Sequence, residues 1–249
     1  VRHAVTRLAH VHFPATNLAK DYLLRMGEDP STVFMTGCPA IDEIAELDVS
    51  YDPTLFDRYG GVGSNLDTDA PYLVVLQHPV TTEYGSGLEQ IRQTLEAIKT
   101  LKIQTVWLWP NVDAGSDDVS KGLRAFRENE NPDFIHFYKN FAIEDYARLI
   151  NNSVCLLGNS SSGIREGSYL GVPVVNIGTR QQGRERAGNV IDVDYDSKEI
   201  VDAVRRQVKH GKYESIAIYG DGKAGGRIAQ HLAEVNVRNI QKRLSYVPA

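Results

Sequence analysis

The sequence predicts an α/β protein built on a doubly wound parallel sheet, and three observations predict it. From Tyr72 onward, short runs rich in Val, Ile and aromatic residues alternate with stretches whose apolar residues recur three and four apart, the helical spacing. The short runs are nearly continuously apolar rather than alternating, as in strands covered on both faces. Their repeated βαβα order requires parallel strands joined by crossover helices.

In chain order, Val1-Arg2-His3-Ala4-Val5-Thr6-Arg7-Leu8 places apolar residues at 1, 5 and 8 and reads as the inside of an element, so the chain looks like a piece of something longer. A strand is expected over Ala9 to Phe13. A helix over Asn17 to Met26, capped by Thr16 or Asn17 and ended by Gly27, leads to a strand over Thr32 to Thr36 and the break Gly37-Cys38-Pro39. Residues 59 to 71, with three glycines, Ser64, Asn65 and two aspartates, have loop composition. Strands are expected over Tyr72 to Gln77, Thr105 to Trp109, Asp133 to Tyr138, Val154 to Leu157, Val172 to Ile177 and Val190 to Val193. The helices between and after them are Leu88 to Leu101, Asp117 to Glu130, Ile143 to Asn151, Ile164 to Leu170, Ser197 to His210 and Gly226 to Leu244.

Composition narrows the function. The 249 residues are 42% hydrophobic and 24% charged, an ordinary globular balance. The formal charge of -5, from 27 Lys and Arg against 32 Asp and Glu, argues against a general nucleic-acid surface while leaving room for a local anion pocket. Two distant cysteines, Cys38 and Cys155, form neither a disulfide framework nor a thiolate metal site, which fits a reducing compartment. The longest apolar runs fall far short of the roughly 20 residues that span a bilayer, and no charged-then-apolar leader opens the chain. A soluble cytoplasmic protein with no membrane partner is expected.

Ligands of doubly wound sheets sit at the carboxyl ends of the strands, so the chemistry is sought there. After the strand at Tyr72 comes Gln77-His78-Pro79-Val80-Thr81-Thr82, where His78 is either a core histidine or a ligand-facing imidazole; its place before hydroxyls and a proline favours the second. Asn111, in Pro110-Asn111-Val112-Asp113, is a ligand contact or turn chemistry. The strongest place is Gly158-Asn159-Ser160-Ser161-Ser162-Gly163, which follows an apolar strand and opens a helix. Free backbone N–H groups, the positive end of the helix dipole and serine hydroxyls make an anion site there, and one N-cap serine would not need three. Glu166 suits a ribose diol, or serves the helix dipole alone. Arg180 reaches the same phosphate from the next loop, or belongs with Arg184 and Arg186 to a solvated surface.

Other patterns carry less. Gly220-Asp221-Gly222-Lys223-Ala224-Gly225 matches G-x-G-x-x-G but lacks a following strand and a ribose-binding acid. Asp192, Asp194 and Asp196 start like a calcium loop but meet Ser197 and Ala203 where Gly and Glu are required. His10 and His12 have no third ligand in metal spacing, and no Walker sequence occurs.

Five ordered motifs nevertheless resemble one family: Gln77-His78-Pro79-Val80-Thr81-Thr82; Pro110-Asn111-Val112-Asp113-Ala114-Gly115-Ser116; Gly158-Asn159-Ser160-Ser161 with Gly163 and Arg165-Glu166; Gly178-Thr179-Arg180-Gln181 with Gly183-Arg184-Glu185; and Tyr219-Gly220-Asp221-Gly222. Their order is that of the hydrolysing UDP-N-acetylglucosamine 2-epimerases, and Val1-Arg2-His3-Ala4 also resembles a segment of that family's N-terminal domain. The resemblance implies a GT-B architecture of two Rossmann-like domains, with residues 1–37 the end of the first, 38–225 the UDP-binding second and 226–249 a C-terminal helix packing back on the first.

It implies elimination of UDP from UDP-GlcNAc to a glucal, then hydration to N-acetylmannosamine, with no metal or redox cofactor and a homo-oligomeric full-length protein. His78 is thereby expected at the diphosphate, helping UDP leave by hydrogen bonding or proton donation. Ser160 and Ser161 are expected on the phosphates, Glu166 on the ribose hydroxyls, Arg180 and Asn111 on the phosphate and sugar side, and Phe141 beside the uracil. The carboxylates acting on the sugar belong, in the family, to the N-terminal domain and are absent here, so the isolated chain is expected to be inactive. Ser162 stands where some relatives carry Cys. The Pro-Val-Thr-Thr sequence after His78 favours the hydrolysing branch over the branch with a charged sequence there. A GT-B glycosyltransferase and a non-catalytic UDP-binding module are the other readings of the same residues.

Overall fold

The computed structural model describes residues 1–236, 241–243 and 245. By contact the chain divides into two compact units, Val1–Glu46 with Ala217–Ala249, and Leu47–Ile216. These boundaries lie inward of 37/38 and 225/226.

The larger unit holds seven strands: β1 (Gly61–Gly63), β2 (Tyr72–Leu76), β3 (Gln104–Leu108), β4 (Ile135–Tyr138), β5 (Cys155–Gly158), β6 (Val174–Ile177) and β7 (Val190–Val193). They form one sheet in the order β1-β4-β3-β2-β5-β6-β7, parallel throughout except for the antiparallel edge strand β1. Its helices are α4 (Gly87–Leu101), α5 (Ser116–Glu130), α6 (Ile143–Asn151), α7 (Ser161–Ile164), α8 (Glu166–Leu170) and α9 (Ser197–His210). The smaller unit holds α1 (Arg2–Leu8), α2 (Asn17–Arg25), α3 (Pro39–Glu46) and α10 (Ala224–Glu234).

Successive strand residues point to opposite faces, and both faces are buried. Leu73, Val75, Trp107, Phe137, Leu157 and Val175 pack with Ile91, Leu95, Leu123, Ile200 and Val204 from α4, α5 and α9. Tyr72, Val74, Val106, Leu108, Leu156 and Val174 pack on the other face with Leu149 and Ile150 of α6. The near-continuous apolar strands of the sequence are therefore strands with two covered faces.

Several elements differ from expectation. Residues 9–13 and 32–36 form no strands; a single parallel bridge joins His12 to Val33, too little pairing for a ladder. The glycine-rich stretch read as loop contributes β1. Gly61 is admitted because a Cβ there would lie 2.3 Å from His136 Nε2, so a side chain would push β1 off β4. The helix expected over Ile164 to Leu170 is two short helices broken at Arg165 (φ -91°, ψ -72°). The helix α3 (Pro39–Glu46) follows a break that carried no expectation of one. Its Asp42 carboxylate accepts from the backbone N–H groups of Ala224 (2.9 Å) and Gly225 (2.6 Å), capping α10. That last helix ends at Glu234 rather than Leu244, while residues 237–240 and 244 lie outside the described residues. The α2 cap is as expected: Thr16 Oγ1 accepts from the Ala19 N–H at 3.2 Å, and Gly27 follows at φ +86°.

Gly158, at the end of β5, has φ +132°, and a Cβ there would lie 2.1 Å from the Leu76 carbonyl oxygen of β2. Gly158→Ala combines a disfavoured backbone with a clash against main chain, and is expected to cost about 3 kcal/mol or more of stability. Urea unfolding of the two proteins measures it.

Candidate functional site

β2 and β5 are neighbours, but the chain runs from β2 outward to β3 and β4 on one side and from β5 to β6 and β7 on the other. Loops leaving the two strands therefore part, and the crevice between them is where doubly wound sheets take ligands. His78 follows β2, Asn111 follows β3, the three serines follow β5, and Arg180 follows β6.

Asn159 joins three of these loops. Its side chain is fully buried and makes two hydrogen bonds to the main chain of His78: Oδ1 accepts from the His78 N–H at 2.7 Å and Nδ2 donates to the His78 carbonyl at 2.8 Å. Its own N–H donates to the Leu76 carbonyl, and its carbonyl accepts from Gln181 Nε2 (2.8 Å) and Arg180 Nη1 (3.2 Å). A second tie runs through Glu83, in the turn Thr81–Glu83: one carboxylate oxygen accepts from the Thr179 hydroxyl and the other from Gln90 Nε2 at 2.5 Å. Sequence reading placed Asn159 in a motif without giving it a role, and passed over Glu83. The one signal was an amide between a strand-ending glycine and a serine run, a place where a buried polar group needs partners.

His78 Nδ1 accepts the backbone N–H of Asn111 at 3.2 Å. The neutral ring therefore carries its proton on Nε2, ready to donate. Burial lowers the His78 pKa to about 4 from 6.5, with the Arg180 charge adding to the fall and Asp113 opposing it. Asn111 thus meets His78 through its main chain.

Arg180 is a half-buried member of the site, with Nη2 3.9 Å from the Asp113 carboxylate as well as its bond to Asn159. Ser160 caps α7, its Oγ accepting from the Ser162 N–H at 3.3 Å. Because α7 and α8 are short and broken apart, the dipole expected at this corner is small, and its anion-binding capacity lies in hydroxyls, N–H groups and Arg180. Glu166 is buried, with Oε1 3.1 Å from Arg165 Nη2 and Oε2 without a hydrogen-bond partner. Burial raises its pKa, against the pull of Arg165 and Arg184. An orphaned buried acceptor beside the serines fits a hydroxyl donor. Phe141 stands apart: its ring is in the core, 4.3 Å from Tyr59 and 5.0 Å from Tyr138 by centroid.

The patterns set aside in the sequence have structural employment. Asp196 caps α9, accepting from Lys198 and Glu199 N–H groups. Asp192 accepts from Asn176 and pairs with Arg186. His12 Nε2 lies 3.2 Å from the Thr6 carbonyl. Among the described residues no helix is long and apolar enough to cross a membrane.

The sheet defines the class: a doubly wound α/β domain with a crevice at the carboxyl edge of its strands, as in the GT-B architecture. Residues 1–233 match the UDP-N-acetylglucosamine 2-epimerase family, and the chain belongs to it. The UDP-N,N'-diacetylbacillosamine 2-epimerase (hydrolyzing) of Legionella pneumophila is 35% identical over 235 residues, 94% of this chain and 60% of that protein. Polysialic acid biosynthesis protein P7 of Escherichia coli is 32% identical over 203 residues, 81% of this chain and 50% of that protein. The structure of UDP-GlcNAc 2-epimerase from Neisseria meningitidis bound to UDP-GlcNAc aligns with a TM-score of 0.73 at 18% identity, over 94% of this chain and 64% of that one, a likeness of fold. The chain thus spans 50% to 64% of the length of these three.

The His78 displacement has a consequence for folding. An unfolded chain takes up that proton near pH 6.5 and the folded one only near 4, so stability from this group is present above 6.5 and lost as the pH falls toward 4. His78→Gln should flatten that slope, which is worth up to about 3 kcal/mol for a shift of about 2.5 units. Glu166 tilts the other way: its raised pKa favours the fold at low pH, and that contribution is lost as the pH rises through the folded value. Urea unfolding between pH 4 and 8 of His78→Gln and Glu166→Gln separates the two slopes.

Proposed function

We propose that this chain is the nucleotide-binding portion of a hydrolysing UDP-N-acetylglucosamine 2-epimerase, acting on UDP-GlcNAc or a related UDP-acetamido sugar. In the reaction the sugar C2 proton is abstracted and the C1–O bond to UDP breaks, giving a 2-acetamidoglucal. Water then adds, a proton to C2 and hydroxyl to C1, giving N-acetylmannosamine. The supporting observation is that one buried residue, Asn159, next to the serine corner, ties the His78 main chain through its side chain and the Arg180 guanidinium through its carbonyl, with the Arg180 charge near enough to the imidazole to lower its pKa. Such a cluster suits a diphosphate leaving group. The hydrolysing activity named for the Legionella relative supports the hydrolysing branch, and the name of the E. coli relative supports sialic-acid-type products.

In this reading Arg180 and the hydroxyls of Ser160 and Ser161 hold the phosphates, Asn111 lines the sugar side, and the orphaned Glu166 oxygen accepts from the ribose. Phe141 marks the segment whose main chain reads uracil. His78 is neutral at pH 7, so it offers a hydrogen bond from Nε2 to the departing diphosphate rather than a formal proton. The acids near the crevice have partners already: Glu83 holds Thr179 and Gln90, Asp113 faces Arg180, and Glu166 pairs with Arg165. C2 deprotonation is therefore assigned to groups outside these residues.

Incubation with UDP-GlcNAc and water alone distinguishes the chemistry. A protein that carries this chain at its relatives' full length should release both UDP and N-acetylmannosamine from UDP-GlcNAc, whereas a glycosyltransferase passes the sugar to an acceptor and yields no N-acetylmannosamine. The 249 residues alone should bind UDP yet release N-acetylmannosamine no faster than a buffer blank. Arg180→Ala should weaken UDP by roughly 10- to 150-fold, the loss of one charge-assisted contact worth about 1.5 to 3 kcal/mol. Calorimetric titration reads that change. In the full-length context His78→Ala should slow UDP release by about 10²- to 10⁴-fold, measured by a coupled UDP assay.

A further inference from the structure

We infer that Tyr146 and Ser162 are positioning residues that set the direction of the Ser160 hydroxyl, turning its proton outward toward a phosphate oxygen. The inference rests on the UDP-binding reading of the serine corner. Three hydroxyls form a chain: Tyr146 Oη lies 2.6 Å from Ser162 Oγ, which lies 2.9 Å from Ser160 Oγ. Tyr146 is carried by α6, whose Leu149 and Ile150 are buried against the sheet, so the phenol enters the corner from a fixed element.

The direction of the chain follows from acidity and from lone pairs. A phenol is a stronger acid than an alkyl hydroxyl, so of a Tyr and Ser pair the Tyr is the better donor. Burial, helped by the Glu166 charge, raises the Tyr146 pKa, so the phenol keeps its proton throughout the physiological range. Tyr146 then donates to Ser162, and Ser162 donates to Ser160. The Ser160 oxygen already accepts the Ser162 backbone N–H at 3.3 Å. Both its lone pairs are thereby filled, and the proton is all it has left to offer outward. With the chain reversed, Ser160 would turn a lone pair toward the ligand and repel an anion. The polarised chain also strengthens the terminal donor, as linked hydrogen bonds do.

The test is calorimetric titration of the full chain with UDP, together with thermal melting. Tyr146→Phe removes one oxygen 2.6 Å from Ser162 and should weaken UDP by about 5- to 10-fold with little change in melting temperature. Ser162→Ala should act in the same direction, and the double variant should be no worse than the weaker-binding single. In a Ser160→Ala background Tyr146→Phe should cause no further loss, because the phenol acts only through that hydroxyl. Unchanged UDP affinity in Tyr146→Phe, or an equal loss whether or not Ser160 is present, overturns the relay and leaves the nucleotide site standing. No binding of UDP by the unaltered chain overturns the nucleotide reading, and the relay with it.

Discussion

The arrangement at the crevice depends on the amide of Asn159. Adjacent parallel strands with diverging loops give a gap by topology alone, but topology does not hold a histidine from one loop at a set distance from an arginine of another. Asn159 does so by bonding to both loops: the His78 main chain to its side chain, and the Gln181 and Arg180 side chains to its carbonyl. Because the residue is fully buried, water cannot substitute for a lost partner, and each bond is held at the full cost of leaving a polar group unpaired. Gly158 before it is under the same constraint, since the turn that points Asn159 inward leaves no room for a side chain against Leu76.

Around that clamp the ionisable groups are held out of their solution states before any ligand arrives. His78 is kept neutral with a defined tautomer, and Glu166 sits desolvated with one oxygen unpaired. The His78 condition costs stability only toward low pH and the Glu166 condition only toward high pH, so their pH dependences have opposite signs. Groups already oriented in this way need not reorganise when charge develops, which is what the proposed departure of a diphosphate would require.

Much of the sheet was legible because its physics is local. Strands β2 to β7 were recognisable as apolar runs of Val, Ile and aromatics, and the long helices α4, α5 and α9 by their apolar spacing. What was not legible depends on partners distant in sequence. Gly61–Gly63 has no strand character of its own and pairs because β4 offers an edge. Residues 9–13 and 32–36 look like strands but reach only one bridge between His12 and Val33. The break at Arg165 is invisible to periodicity, which sees one apolar stripe through Ile164 and Leu170. At the site, the residues with reactive side chains were visible in the motifs, whereas those that hold them, Asn159, Glu83 and Tyr146, show their importance only once the loops are brought together.

The carboxylate of Asp113 opposite Arg180 gives the crevice a resting electrostatic partner. At 3.9 Å and partly exposed, the pair is worth well under about 1 kcal/mol. An anion that engages Arg180 therefore performs an exchange, trading a loose single-charge partner for a closer, more highly charged one. The trade runs downhill on arrival at little cost. In the proposed reading, a guanidinium that releases a diphosphate returns to this partner, which offsets the release by no more than the small worth of the pair. On that reading, a weak counter-ion kept at hand favours exchange at Arg180 rather than affinity.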